Sequence, residues 1–394
     1  MNYILFDDST WKTFLPLTFT RPVADIRIGI LTIAEKWNKY LNTNCSYLTQ
    51  NYLSEKYLTK ITSDNILING SVLPNAELIE EMNILQLNEA LVKDNNIIAV
   101  RLDSNSVANF NFTSINLFHQ KTAKADFLKL VSLCDIFSKN GEALIADYKL
   151  ITKGRTSQIL NKTNNILGLE NIFVEEGVKA QFVTLNASTG PIYIGKDTEL
   201  MEGSIIRGPF SIGEHSTLKL AAKIYGPTTI GPHCKVGGEI NNSIIFGYTN
   251  KAHDGFLGNS VLGEWCNIGA DSNNSNLKNS YEEVKLWSYE KQHFLRTGHQ
   301  FCGLFMGDHS KCAINTMFNT GTIVGVSANI FGAGFPRNFI PSFSWGGPQG
   351  IEDYSLSKAI KTAEIVYSRR NIPLSDIDKK ILGKIYEMSQ SDRK

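Results

Sequence analysis

The sequence predicts an α/β N-terminal domain followed by a left-handed parallel β-helix and C-terminal helices. Three observations carry that reading. Strand-like and helix-like segments alternate through residues 1–150, aliphatic residues then recur at every sixth position, and helical spacing takes over after Trp345. The resulting division is 1–150, 151–350 and 351–394, with an inserted loop near 273–300. A chain of 394 residues is too long for one ordinary core, which agrees with several domains.

In the first domain Tyr3–Phe6 and Ile66–Ile68 read as strands. Gly29–Tyr40, Asn75–Met82 and Lys124–Ser138 read as helices, and Asp94-Asn95-Asn96 as a hairpin turn. A backbone cradle for phosphates needs glycines after the first strand, so that amides can approach the anion. Here that strand runs into Asp7-Asp8-Ser9-Thr10-Trp11, which is acidic and has no glycine.

Positions 194, 200, 206, 212, 218, 224, 230 and 236 are Ile, Leu, Ile, Ile, Leu, Ile, Ile and Val. A strict period of six fits neither an amphipathic helix nor a simple half-buried strand. It fits short parallel strands around a triangular prism, one aliphatic per side pointing inward and small residues at the corners. Ile166, Ile172 and Val178 place the first coil near residue 166. The pattern is expected to resume, two residues out of phase, at Phe256, Leu262 and Ile268, as though a loop were extruded just before. It resumes again at Met306, Cys312, Phe318, Val324 and Ile330, after an insertion carrying Trp287 and Tyr289 that reads as an arm or lid. The 31 glycines against 11 prolines are explained by coil corners.

Leu356, Ala359, Ile360, Ala363 and Val366 have helical spacing, and Ser375 followed by Asp378 resembles a capping box for a second helix. Both helices are expected to cap the open end of the solenoid.

Two segments of the solenoid carry a family resemblance. Lys251-Ala252-His253-Asp254-Gly255-Phe256-Leu257-Gly258, with Asn267-Ile268-Gly269-Ala270, resembles the acetyltransferase domain of the bifunctional N-acetylglucosamine-1-phosphate uridyltransferase and glucosamine-1-phosphate acetyltransferase family. In that family a Rossmann-type α/β nucleotidyltransferase domain precedes a trimeric left-handed β-helix. Leu15-Pro16-Leu17-Thr18 and Arg21-Pro22 are similar to its N-terminal segments, and Arg21 stands near the family's phosphate lysine. Ser71, after Ile66-Leu67-Ile68-Asn69-Gly70, replaces the metal-binding aspartate, and a hydroxyl is a far weaker Mg²⁺ ligand than a carboxylate.

The resemblance implies acetyl-CoA as co-substrate, an amino-sugar phosphate as acceptor in UDP-N-acetylglucosamine synthesis, and a homotrimer. Mg²⁺ is implied only if the N-terminal domain is active. The resemblance assigns His253 as general base and Asn267 and Asn276 as sugar contacts. Lys223, near the family's arginines one coil below, and Lys251 are the candidate phosphate partners on exposed coil turns, and Glu239 is a candidate to orient the amino sugar. Ala270, Asp308 and Gly332 are implied on the acetyl-CoA side. Moving an acetyl group to an amine needs a base, an oxyanion donor and close placement, with no covalent intermediate. A nucleotidyltransferase still active in the N-terminal domain and a silent sugar-nucleotide sensor or scaffold are the alternatives.

A metal reading competes, because His215 and His233 are 18 apart and His253 follows at 18 plus two. A straight column over three coils cannot bring all its nitrogens to one ion, so a solvated ladder of imidazoles is preferred. The 39 basic and 38 acidic residues give no reason to expect nucleic acid or a membrane surface as partner. Six scattered cysteines, no secretory signal and no long apolar run lead to the expectation of a cytoplasmic protein.

Overall fold

The computed structural model describes residues 1–393 and divides the chain into two units. Met1–Phe14, Thr20–Ile26 and Leu31–Ser132 form one, and Leu15–Phe19, Arg27–Ile30 and everything from Leu133 on form the other. Among the described residues no helix is long and apolar enough to cross a membrane.

The first unit is built on a six-stranded sheet of β1 (Asn2–Phe6), β2 (Ser46–Leu48), β3 (Asn65–Asn69), β4 (Glu89–Lys93), β5 (Asn96–Leu102) and β6 (His119–Thr122), in the order β2-β1-β3-β5-β4-β6. Strand β1 runs parallel to β2 and β3, whereas β5 is antiparallel to β3 and β4. The hairpin predicted at Asp94-Asn95-Asn96 is present, with φ of 48° and 59° at Asp94 and Asn95, as a type I′ turn requires. Thr32 and Glu35 form a capping box on the helix Ile33–Leu41, and Asn75 caps Ala76–Asn83.

The helix expected over Lys124–Ser138 forms only from Leu133. Residues 128–130 instead run alongside 71–73, with Leu73 N–H on Leu128 O and Leu130 N–H on Ser71 O. Backbone groups spent on that pairing are lost to a helix.

In the second unit the parallel β-helix begins at Asn165–Leu167, as the spacing predicts. Three parallel sheets form its faces, and the inward aliphatics Ile194 to Val236 at every sixth position are at most 2% exposed. Ile194, Ile212 and Ile230 stand in register, one above the other.

The glycine that follows each of these isoleucines is required by close approach. A Cβ on Gly213 would lie 2.6 Å from Pro232 N and 2.8 Å from Gly231 C, both in the next coil's backbone. Gly213→Ala is therefore expected to destabilise the fold by about 2 kcal/mol or more, measured by urea unfolding, since backbone cannot step aside as a side chain can.

Beyond Val236 the structure departs from the expected phase. No loop is extruded before residue 256; the coil is shortened. Val236 pairs with Lys251, fifteen residues on instead of eighteen, and Ile240 pairs with Leu257, so Leu257 and not Phe256 points inward. Gly238, at φ +79°, makes the tight corner that removes residues.

The second irregularity is a true insertion. Ile268 pairs with Cys312 across a segment that holds an antiparallel hairpin, Lys285–Ser288 with His293–Arg296. It is packed down: Trp287 stacks on Phe339 at 4.5 Å and Tyr289 meets the same ring edge-on at 5.4 Å.

The C-terminal helices are Leu356–Ser368 and Asp376–Met388, the second capped by Ser375 on Asp378 N–H as predicted. The first does not cover the end of the solenoid but lies along one corner of it. Tyr367 stacks on Trp265 at 3.9 Å and Arg370 donates to His233 O at 3.1 Å. The last coil is met near the chain's end, where Arg393 bonds Ser342 O and Tyr386 meets Phe343 edge-on.

Candidate active site

His253 sits in the corner Ala252–Gly255, and the sequence around it fixes that corner from three sides. From inside the prism, Lys251 donates its ammonium to His253 O at 2.5 Å and Asp254 O at 3.3 Å. From the preceding coil, Gly237 and Gly238 let the corner pack down; Cβ atoms there would lie 2.5 Å from Ala252 O and 2.7 Å from Gly255 O. From the following coil, Asp271 N–H bonds Asp254 O, Phe256 N–H bonds Asn273 Oδ1, and a Cβ on Gly255 would strike Ser272 O at 2.1 Å. The imidazole itself is exposed and makes no hydrogen bond. A rigid backbone thus presents a free ring.

Lys251 had been expected as an exposed phosphate partner. The structure corrects this: it stands in register with Val236, is 1% exposed, and has its amine turned onto backbone carbonyls. Burial pushes its pKa down to about 8, opposed by the nearby Asp254 carboxylate.

The histidine column also differs from expectation. His215 and His233 stack at 5.0 Å, but the third ring is Tyr248, at 4.7 Å, then Trp265 at 4.2 Å and Tyr367 of the C-terminal helix. His253 is not in the column. The shortened coil brings Tyr248 to the corner where a residue three places further on would otherwise stand.

Beside His253 lies a cleft of ≈ 510 Å³, whose lining includes His253, Asn250, Asn267, Tyr248 and Trp265. Asn250 donates to Asn267 Oδ1 at 2.8 Å, a side-chain rung that follows their pairing in adjacent strands. The cations of this cleft, Lys219, Lys235, Lys311, Arg369 and Arg370, escaped the sequence reading, because three come from separate coils and two from a helix more than fifty residues further on.

The remaining expected residues are scattered. Lys223 and Glu239 face each other at 3.8 Å on another face, where Tyr225 O–H donates to Glu239 at 2.7 Å; both line a second, more open cleft with Arg207. Asn276 donates to Asn259 Oδ1 at 2.8 Å. Ala270 is half-buried at the corner after Ile268, and its carbonyl accepts from Asn315 N–H at 2.8 Å. Gly332, at φ +112°, lies exposed two residues beyond Ile330. Asp308 is 3% exposed and accepts from Glu264 N–H at 2.9 Å, so its carboxylate serves a corner and not a donor contact.

In the first unit, the loop after β1 is filled by its own side chains. Asp7 accepts from Val23 N–H at 2.8 Å and from Thr49 O–H, yet burial pushes its pKa up to about 7. Burial would also raise Asp8, but the Lys129 ammonium at 3.3 Å, with Thr10 and Asn69, outweighs it and holds that carboxyl below its ordinary value. Ser71 is fully buried and donates to Asn69 Oδ1 at 2.7 Å. A hydroxyl so engaged does not fit a Mg²⁺ ligand. Arg21 is 4% exposed.

With this geometry in place, residues 3–156 match the family model described as sugar nucleotidyl transferase. No curated protein matches the chain. Among solved structures, UDP-N-acetylglucosamine acyltransferase from Campylobacter jejuni aligns at 14% identity and a TM-score of 0.21, covering 57% of this chain and 94% of that one. The Arabidopsis UDP-N-acetylglucosamine acyltransferase aligns at 14% and 0.21, covering 54% and 80%. The parallel β-helix rests on its strand register, and the N-terminal domain is similar to a family of sugar nucleotidyl transferases.

Proposed function

We propose that the protein transfers an acetyl group from acetyl-CoA to the amine of an amino-sugar phosphate such as glucosamine-1-phosphate. The observation that carries this is the unbonded imidazole of His253, held by a rigid corner at the lip of a cleft. In the transfer, His253 takes the proton from the attacking amine, the nitrogen bonds to the thioester carbon, and the thiolate leaves with a proton returned by the imidazolium. Asn267, on the lining of the same cleft, supplies an amide for sugar hydroxyls. Ala270, on the next corner, is the proposed neighbour of the thioester, and a homotrimer is the proposed assembly. Incubation with acetyl-CoA and a panel of amino-sugar phosphates should release free thiol for one acceptor well above the rest; thiol release with none would end the reading.

A second reading is favoured by the family match over residues 3–156, with Arg21 as the phosphate partner: nucleotidyl transfer to a sugar-1-phosphate. No step through a metal at Ser71 is derived for it. Pyrophosphate release from UTP and N-acetylglucosamine-1-phosphate in the presence of Mg²⁺ tests it.

A further inference from the structure

Two of the six cysteines meet each other. Cys134 lies in the short helix Leu133–Ser138, Cys302 where the chain returns from the insertion to the coil, and their sulfurs are 3.7 Å apart. Both are free thiols and both are buried, at 2% and 0% exposure. The other buried thiols face oxygen: Cys234 lies against Phe246 O, Cys266 against Gly307 O, and Cys312 against Ser272 Oγ. A pair 168 residues apart in sequence is thus set sulfur to sulfur.

The surroundings hold both sulfurs in place. Cys134 and Phe137 stand three residues apart and share one face of their helix. The Phe137 ring meets His299 at 5.9 Å and Phe305 at 6.2 Å, which lie on either side of Cys302 in sequence. Cys302 N–H donates to Asn276 O at 2.8 Å, and its carbonyl accepts from Gly321 N–H at 3.1 Å. A Cβ on Gly303 would strike Gly258 O at 2.1 Å, so the strand that follows is wedged against the preceding coil. A disulfide of about 2.0 Å asks the sulfurs to approach by about 1.7 Å more, a distance small enough for rotation about the two Cα–Cβ bonds.

We propose that Cys134 and Cys302 are a reversible disulfide pair, which an oxidant of the peroxide class closes to fasten the root of the insertion to the helix Leu133–Ser138. In the first step one sulfur attacks the peroxide: a sulfur–oxygen bond forms, the oxygen–oxygen bond breaks, and the leaving hydroxide takes the thiol's proton as water. In the second, the other sulfur displaces that oxygen: the sulfur–sulfur bond forms, the sulfur–oxygen bond breaks, and a second water leaves. Two thiols lose two electrons in all, and one peroxide becomes two waters. A dithiol reverses the bond by exchange. Closed, the pair is slow to react, because contact with Cys134 and burial together push the Cys302 thiol well above its ordinary pKa, and the thiolate is the reactive form. Reaction waits on local opening, which the helix carrying Cys134 supplies: six residues are too few to be stable by their own hydrogen bonds. Nothing in this pairing depends on acetyl transfer.

The test is to treat the full chain with hydrogen peroxide, block remaining thiols after denaturation, and map peptides by mass spectrometry without reductant. The Cys134 and Cys302 peptides should be recovered joined, and should separate after dithiothreitol. Because the bridge closes a loop of 168 residues, the oxidised sample should melt about 5 °C or more above the same sample after dithiothreitol. Cys134→Ala and Cys302→Ala, treated identically, should each show neither the joined peptides nor the gain. Should either variant fail to fold, the natural protein still decides. Recovery of the two cysteines as separate thiols or sulfinic acids, or of either joined to another cysteine, overturns the proposal. A bridge that leaves the melting temperature unchanged or lowers it does so as well.

Discussion

Alanine in place of His253 is expected to lower acetyl transfer to an amino-sugar phosphate by about 10²- to 10⁴-fold in kcat, the usual contribution of a positioned general base. Michaelis constants should change little, because the ring's role is proton transfer and the cleft's amides and cations remain. Folding should be unaffected within about 0.5 kcal/mol, since the imidazole is exposed and bonded to nothing. Steady-state kinetics beside a urea melt separate the two effects. Full activity in His253→Ala would remove the histidine from the mechanism and leave the cleft without a base.

The second large effect concerns Lys251. An amine with its pKa at about 8, against an ordinary 10.5, is harder to protonate in the folded chain than in the unfolded one. Between these values the unfolded state binds more protons, so this group's contribution to stability rises with pH. Below pH 8 the charged amine is a cost, offset in part by the carbonyls of His253 and Asp254. Lys251→Met keeps the volume and removes that cost. The variant should therefore be at least as stable as the natural protein at pH 7. Its advantage should then shrink by about 2–3 kcal/mol as pH rises from 8 to 10, taken as the difference between paired urea melts. The buried cysteines, whose pKa values are raised, oppose this trend in both proteins and cancel in the difference. Acetyl transfer should fall in the same variant, because the corner carrying His253 loses its inner tether. A pH-independent difference would show that the amine is not desolvated.

The solenoid was legible in the sequence because one aliphatic per face, repeated without interruption from Ile194 to Val236, admits one geometry. The cap at Ser375 and the turn at Asp94-Asn95 were legible for a similar reason: each uses local chemistry that needs no distant partner. What escaped notice depended on neighbours in space. Gly237-Gly238 reads as two more corner glycines, and only the packing of residues 252–255 against them shows a shortened corner. Lys251 reads as surface because its inward phase is visible only after that shortening is known. The aromatic column was missed past His233 for the same reason. Arg369 and Arg370 read as the polar end of a helix, and nothing local ties them to coils more than fifty residues earlier.

The shortened coil also bears on cooperativity. In a stack where each coil touches only its two neighbours, stability spreads along the axis through matched interfaces. Coils up to Val236 repeat one pattern, and those after Ile268 resume it, but the two between pair at fifteen and seventeen residues and enclose a lysine. That seam is where the run of matched interfaces is interrupted, and the bonds that fix residues 252–255 bridge it. The corner that presents His253 lies on it, so the residue proposed to move a proton stands where the two regular blocks of coils are joined.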